Sequence, residues 1–194
     1  MKRTSATRAE CPIARSLDVV GDWWTLLILR DALDGATRFD QFTRHLGIAP
    51  NMLTRRLTAL QDHGLLTRAK YQDRPPRYEY LTTPRATALL PVLIALEHWG
   101  SADQTSAERT VQLVDRATGR PLEPVLVDRD TGVAIGDLDA GYVAGPAASP
   151  ASRARYAELA ATRRRPDLDS GPTPRRRPVD SPAKRGARRL RRPQ

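Results

Sequence analysis

The sequence predicts a mainly α-helical domain of the α+β class, in which one β-hairpin follows a pair of short helices. Residues 39–46 form an amphipathic segment that turns at Gly47, and residues 49–63 place three leucines on one helical face. Two β-type runs within residues 65–82 then flank a proline-containing loop. Two helices joined by a tight turn and followed by a hairpin are typical of a winged helix-turn-helix, so we interpret the hairpin as the wing.

Two further helices are predicted before this unit and one after it. Residues 11–20 form an amphipathic helix that stops at Gly21, and residues 23–33 form a helix that is apolar on nearly every side. We expect that second helix, with both of its tryptophans, to be central and buried. The last helix spans residues 84–99 and should be kinked by Pro91.

The surplus of apolar residues in the last helix predicts a contact beyond its own domain. Leucine, valine, isoleucine and tryptophan cover most of its circumference. Packing on its own core is one explanation; we favour pairing with the same helix of a second subunit, together with the first helix. The residues predicted at this homodimer interface are Ile13, Leu17, Leu89, Leu93, Leu96 and Trp99.

Composition divides the chain into four segments. Residues 1–10 are polar and expected to be frayed, and residues 11–104 form the winged helix-turn-helix and dimerisation domain. Residues 105–143 contain the repeat LVDRATGRPL and LVDRDTGVAI, whose Thr-Gly turns predict a small β-hairpin appendage. Residues 144–194 hold 8 of the 16 prolines and are predicted to be a disordered Arg/Pro-rich tail, apart from a short helix at 153–162.

Basic charge is concentrated in the predicted wing region and in the tail. The net charge of +10 comes entirely from residues 150–194, with 14 Lys+Arg and 4 Asp+Glu, because residues 1–149 hold 18 of each. Within the balanced part, residues 38–85 hold 9 basic against 4 acidic side chains. A basic folded face and a basic extension both favour a polyanionic partner, double-stranded DNA.

Several other classes of protein are disfavoured by the sequence. A single cysteine excludes an intramolecular disulfide, and the apolar runs are too short for a membrane span, so we expect a cytoplasmic protein without membrane contact. The three histidines lack metal-ligand spacing, and no nucleotide-binding loop or nucleophile motif occurs. We therefore expect no catalytic site, no metal and no cofactor.

Four motifs occur in order within residues 11–100: CPIARSLDVVGDWWTLLILRDAL, RFDQFTRHLGIAPNMLTRRLTALQDHGLL, PPRYEYLTT and LLPVLIALEHWG. In this order and spacing they resemble the HxlR-type family of bacterial winged-helix transcription regulators, relatives of the MarR fold. The resemblance implies a dimer that binds operator DNA, commonly near its own gene or a neighbouring one. Asp22-Trp23 stands where the family commonly has glycine and a basic residue, and Ala86 replaces a commoner glycine; neither departure is expected on the DNA face.

The second helix of the helix-turn-helix is predicted to read DNA. Short polar or guanidinium side chains reach base edges in the major groove, and the outward face of residues 49–63 carries such groups. The residues predicted to contact DNA from this helix are Pro50, Asn51, Thr54, Arg55, Arg56 and Thr58. We expect Arg55 to contact a guanine, whereas Arg56 should reach the phosphate backbone or pair with Asp62.

Basic side chains around the wing are predicted to contact phosphates or to enter the minor groove. The wing residues are Arg68, Lys70, Arg74 and Arg77, and Arg38 is added from the start of the preceding helix pair. Ordinary solvation of these charges is the alternative explanation, because phosphate contacts are dispersed and tolerant of sequence.

A thiol switch at Cys11 is a further implication of the resemblance, since some family members use a cysteine at this position. The alternative is that Cys11 is a small buried hydrophobe.

The sequence as a whole predicts a DNA-binding transcriptional regulator, with repression as the expected mode, acting as a homodimer on an inverted-repeat operator. A winged-helix protein-interaction or RNA-binding module is the alternative, and a small-molecule or oxidant effector is left open. An enzyme with its chemistry in the appendage is the weakest hypothesis, because that segment has no evident nucleophile or base.

Overall fold

The computed structural model describes residues 10–105 and 107–162, so the expectations for residues 1–9 and for the rest of the tail lie outside the described residues. Its regular elements in chain order are α1 (Pro12–Val20), α2 (Trp23–Leu33), α3 (Phe39–Leu46), α4 (Pro50–Asp62), β1 (Leu66–Gln72), β2 (Arg77–Thr82), α5 (Pro84–Thr87), α6 (Leu90–Gly100) and α7 (Pro150–Thr162). A short 3-10 turn covers Ile135–Asp137. The architecture is the predicted mainly helical one with a two-stranded sheet, and α7 belongs to a separate unit that begins at Val143.

The core forms where α2 meets the helix-turn-helix and the base of the hairpin. Ile28 and Leu29 of α2 and Phe42 of α3 are fully buried. The three leucines of the predicted α4 stripe, Leu53, Leu57 and Leu60, are also buried in this cluster. Burying apolar surface stabilises a fold by about 25 cal/mol per Å², so the leucine face of α4 turns inward. Its polar face is left to solvent.

Glycines end three helices, for two different physical reasons. Gly47 and Gly64 have φ angles of +62° and +66°, the left-handed region in which a side chain is disfavoured. Gly21, which follows α1, has an ordinary φ of −75°. There, a Cβ atom would lie 2.3 Å from the carbonyl oxygen of Leu17, so space rather than backbone conformation requires glycine.

The hairpin is extended by a third short segment. β1 and β2 pair antiparallel with Leu66 opposite Thr82, and the register is irregular between Lys70 and Gln72. The backbone N–H of Tyr80 donates to the carbonyl of Thr37 at 2.7 Å, and residue 38 forms an isolated bridge with Glu79. The entry to α3 is thereby attached to the wing.

Two sequence expectations about the helices are wrong. Trp23 is 65% exposed rather than buried, because the first turn of α2 projects past the core that its middle turns fill. Helix 84–99 is not one kinked helix but two, α5 and α6, separated at Ala88 and Leu89. Pro91 lies in the first turn of α6, since its ring would clash with the carbonyl of residue 87 in a continuous helix.

The appendage contains the two predicted turns, each closed by one isolated antiparallel bridge instead of a ladder. The bridges join Val114 to Pro121 and Val127 to Ala134. In the first turn the hydroxyl of Thr118 donates to Asp115 at 2.8 Å, and this hydrogen bond lowers the pKa of that carboxyl. The second turn repeats the arrangement with Asp128 and Thr131. Side-chain hydrogen bonds of this kind define the turns without a regular sheet.

The predicted short helix of the tail forms and begins earlier than expected. α7 starts at Pro150 rather than at residue 153, and none of its residues is buried. Among the described residues, no helix is long and apolar enough to cross a membrane.

Candidate nucleic-acid interface

The polar face of α4 is presented as the sequence predicted. Asn51, Thr54, Arg55 and Thr58 are all exposed, while the intervening leucines hold the helix to the core. Pro50 occupies the first turn, where its missing N–H costs nothing. A rigid helix that displays short polar groups in this way is suited to insertion into a major groove.

Two of these four polar side chains, Asn51 and Thr54, are engaged within the helix, whereas Arg55 and Thr58 have no hydrogen bond among the described residues. The side-chain oxygen of Asn51 accepts a hydrogen bond from the Met52 amide at 2.8 Å, and the Thr54 hydroxyl donates to the Pro50 carbonyl at 2.9 Å. Within the described part of the chain, no hydrogen bond or ion pair holds the Arg55 guanidinium. Arg55 is therefore the side chain of α4 whose donors are available for a planar acceptor pair such as the guanine O6 and N7.

Arg56 pairs with a different carboxylate from the predicted Asp62. Its Nη2 atom lies 2.7 Å from Oδ2 of Asp22, and its side chain is only 29% exposed. The other carboxylate oxygen of Asp22 accepts from the Trp24 amide and caps α2. Asp62 is not the partner, because it lies at the far end of α4. Arg56 thus connects the start of α2 to the recognition helix, and its contact with a phosphate stays a prediction.

A basic and aromatic cavity lies between the entry to α3 and the wing. It has a volume of about 510 Å³, and its walls include three arginines and three tyrosines. These residues are Arg38, Arg68, Arg77, Tyr71, Tyr78 and Tyr80. Three of the five basic residues predicted to contact DNA outside α4 are therefore brought together, although they are up to 39 positions apart in the sequence.

Tyrosine rings hold two of those arginines. The guanidinium carbon of Arg68 lies 3.5 Å from the centroid of the Tyr78 ring, and that of Arg38 lies 4.8 Å from the Tyr71 ring. Each such contact contributes about 0.5–1 kcal/mol at an exposed site. The rings fix the planes of the guanidinium groups while leaving their N–H donors for a phosphate.

The remaining wing cations lie nearer the loop. Lys70 pairs with Asp73 at 2.6 Å, which neutralises part of its charge. Arg74 and Arg77 are exposed, and their guanidinium groups have no ion pair among the described residues. Sequence reasoning missed the tyrosines and the contact between Asp22 and Arg56. The diagonal proximity of Arg68 and Tyr78 would have followed from the hairpin register, but the Asp22 contact needed the tertiary fold.

The predicted interface residues of α1 and α6 divide into two groups. Leu89 and Leu93 are half-buried against the protein's own core, which accounts for part of their apolar character. Ile13, Leu17, Leu96 and Trp99 are exposed, Trp99 by 80%. Cys11 is a half-buried free thiol at the N-cap of α1.

A tight helix-turn-helix followed by an antiparallel basic hairpin makes this chain a winged helix-turn-helix protein. The model of the HxlR-like helix-turn-helix family matches residues 19–108. An uncharacterized HTH-type transcriptional regulator of Mycobacterium tuberculosis is 42% identical over 88 residues, which are 45% of this chain and 56% of that relative. A second, from Synechocystis sp., is 39% identical over 101 residues, which are 50% of this chain and 75% of that relative.

Similar solved structures are, like the sequence relatives, described as transcription factors. A candidate transcription factor of Pseudomonas aeruginosa is 48% identical, with a TM-score of 0.55, over 75% of this chain and 99% of its own. The chain belongs to the HxlR-like helix-turn-helix family, and so to the helix-turn-helix transcriptional regulators. It spans only about half the length of the mycobacterial relative.

Proposed function

We propose that this protein is a sequence-specific DNA-binding repressor that acts as a homodimer on an inverted-repeat operator. The observation that carries the proposal is the face of α4, where all four predicted base-reading side chains are exposed and the Arg55 guanidinium has no partner among the described residues. A cytoplasmic location, with association to chromosomal DNA when bound, belongs to the same proposal.

The wing cavity supports DNA rather than a neutral partner. Arg38, Arg68 and Arg77 converge there, and Tyr71 and Tyr78 orient two of them. Phosphate contacts position a protein on the duplex without reading sequence. We therefore assign base reading to α4 and backbone positioning to the wing.

The homodimer is supported by α6. This helix is the most apolar of the described elements, yet none of its residues is buried. Leu90, Val92 and Leu96 are each more than two-fifths exposed, and Trp99 is the most exposed of its large residues. A second copy related by a two-fold axis would cover these side chains and would space two recognition helices about 34–36 Å apart, one turn of DNA.

Selection of bound duplexes from a random pool tests the proposal. An inverted repeat should be recovered, and Arg55→Ala should weaken the selected operator by ~1–3 kcal/mol while relaxing one base position. The matched control is Arg74→Ala, which should weaken operator and random duplexes alike. Equal losses on both DNAs for Arg55→Ala would reduce Arg55 to a phosphate contact.

Two results would favour the alternatives. Recovery of no preferred duplex, with retention of structured RNA or of a protein partner, would indicate a winged-helix interaction module. Sedimentation as a monomer at micromolar concentration, or protection of one asymmetric half-site, would refute the dimeric arrangement.

A further inference from the structure

The three arginines of the wing cavity come from different parts of the chain but line one space of about 510 Å³. Arg38 precedes α3, Arg68 lies on β1 and Arg77 begins β2. Backbone pairing fixes their spacing, because the Tyr80 N–H donates to the Thr37 carbonyl at 2.7 Å and Arg68 lies opposite Tyr80 in the hairpin register. The three guanidinium groups are therefore carried on one hydrogen-bonded frame.

The wing cavity has a positive charge that the protein does not neutralise. Within residues 10–105 and 107–162, none of the three arginine side chains has an ion pair or a hydrogen bond to another group. The lining also contains Asp40, from the first turn of α3. Three cations and this carboxylate leave a net charge of +2 facing the cavity. Guanidinium donors match the oxygens of a phosphate, so a phosphate is the anion that suits this space.

Tyrosine rings limit how far two of the arginines extend. The guanidinium carbon of Arg68 lies 3.5 Å from the centroid of the Tyr78 ring, and that of Arg38 lies 4.8 Å from the centroid of the Tyr71 ring. Both arginines line the cavity from these positions. An arginine that enters a minor groove has to extend away from the protein. The ring contacts therefore favour a phosphate in the cavity over insertion into the groove.

The shape of the cavity limits the number of phosphates that it can hold. The phosphates of a DNA strand are spaced along the outside of the double helix. A concave site that receives one of them leaves its neighbours outside, because the strand curves away on either side. Arginines on different walls of the same cavity then contact the same anion.

We infer that Arg38, Arg68 and Arg77 bind one backbone phosphate together, rather than one phosphate each. Tyr71 and Tyr78 are the positioning residues of the first two arginines. The inference rests on the proposed DNA binding, and it adds how many phosphates the wing cavity neutralises.

The salt dependence of DNA binding counts these phosphates, because each neutralised phosphate contributes about 0.9 to the slope of log K against log salt concentration. The full chain is compared on a random-sequence duplex with a variant that carries Arg38→Ala, Arg68→Ala and Arg77→Ala. We expect the slope of the triple variant to be smaller by about 0.9 units. A decrease of about 2.7 units would mean three separate phosphates and would overturn the inference.

Two substitutions of one tyrosine test the positioning role. Tyr78→Phe keeps the ring beneath Arg68 and should leave the affinity for the duplex unchanged. Tyr78→Leu removes the ring and should weaken binding about two- to fivefold, with the salt slope unchanged because the charge of Arg68 remains. Equal losses for the two variants, or no loss for Tyr78→Leu, would refute the positioning role.

Inorganic phosphate separates failure of the shared site from failure of DNA binding. In NMR spectra of the full chain, the Nε–H signals of Arg38, Arg68 and Arg77 should shift along one saturation curve. The matched control is Arg74, which lies in the hairpin loop outside the lining and whose signal should not follow that curve. Three different curves, or shifts that do not saturate, would overturn the shared site. A common curve in a protein that binds no duplex would refute the proposed function and leave the shared site standing.

Discussion

The ion pair between Asp22 and Arg56 should control the placement of the recognition helix without touching DNA. Asp22 Oδ1 accepts from the Trp24 amide at 3.1 Å, and Oδ2 accepts from Arg56 at 2.7 Å. One carboxylate therefore joins the first residues of α2 to the middle of α4. Asp22→Asn keeps an acceptor for the α2 cap but removes the charge, and Arg56→Met keeps the aliphatic stem but removes the guanidinium.

The exposure of the pair sets the expected magnitude. The side chains of Arg56 and Asp22 are 29% and 33% exposed. Fully exposed pairs contribute about 0.2–1 kcal/mol, and breaking a buried pair costs about 3–5 kcal/mol. We expect an intermediate coupling energy of ~1–2 kcal/mol from a double-mutant cycle of Asp22→Asn and Arg56→Met, measured by urea unfolding.

DNA titrations over a range of salt concentrations separate this role from phosphate contact. A lost phosphate contact lowers the salt slope by about 0.9 units. For a positioning residue we expect Asp22→Asn and Arg56→Met to weaken the operator alike, with the salt slope of random DNA unchanged. The Asp22→Asn result distinguishes positioning from phosphate contact, because a carboxylate is repelled by a phosphate and does not bind it directly.

The matched control is the exposed pair of Lys70 and Asp73, whose separation is also short at 2.6 Å but whose side chains are 44% and 88% exposed. Its cycle, Lys70→Met with Asp73→Asn, should give a coupling below about 0.5 kcal/mol. The reasoning is refuted if the Asp22 and Arg56 cycle gives no more coupling than this control. It is refuted equally if Arg56→Met lowers the salt slope while Asp22→Asn strengthens DNA binding.

Three further predictions rest on single features. Gly21→Ala should destabilise the fold by ~1–3 kcal/mol in urea unfolding, because its Cβ would meet the Leu17 carbonyl, whereas Gly100→Ala, with open space around it, should not. Cys11→Ser should leave the operator affinity of the reduced protein unchanged, since serine is a good N-cap. If Cys11 is a thiol switch, mild oxidants should release wild-type protein from the operator but not the variant. Wild-type protein whose operator affinity ignores oxidants would refute the switch. Deletion of residues 163–194, which hold 12 Lys+Arg and 3 Asp+Glu, should lower the salt slope by several units and leave operator preference intact; a changed preference would mean that the tail reads a groove.

The local elements could be predicted from sequence because their signals are local. The leucine stripe of α4 and the glycine turns at positions 47 and 64 are set by helical period and by backbone sterics. The outward residues Asn51 and Arg55 then follow as the complement of the buried stripe. The same reasoning missed the Asp22 partner of Arg56, because that side chain lies at the edge of the stripe and its partner is 34 residues away.

Burial was harder to predict than helix formation. Trp23 begins an apolar helix but lies beyond the reach of the core, and period alone cannot show where a core ends. Helix 84–99 was predicted as one helix because its apolar period continues through Pro91, whereas the steric demand of proline breaks it. The wing tyrosines were missed because a cation–π pair depends on strand register and on the third segment at residue 38.

The apolar character of α2 on nearly every side has a physical explanation in its neighbours. Its middle turns bury Ile28 and Leu29 in the core, while Leu27 and Leu33 line a cavity of about 670 Å³ between α2 and α6. Asp22, just before its first turn, is tied to the recognition helix. The position of α2 therefore bears on both the core and the recognition helix. The Asp22→Asn variant tests that connection: it should weaken operator binding while the helical content, measured by circular dichroism, stays unchanged, and unchanged operator binding would refute it.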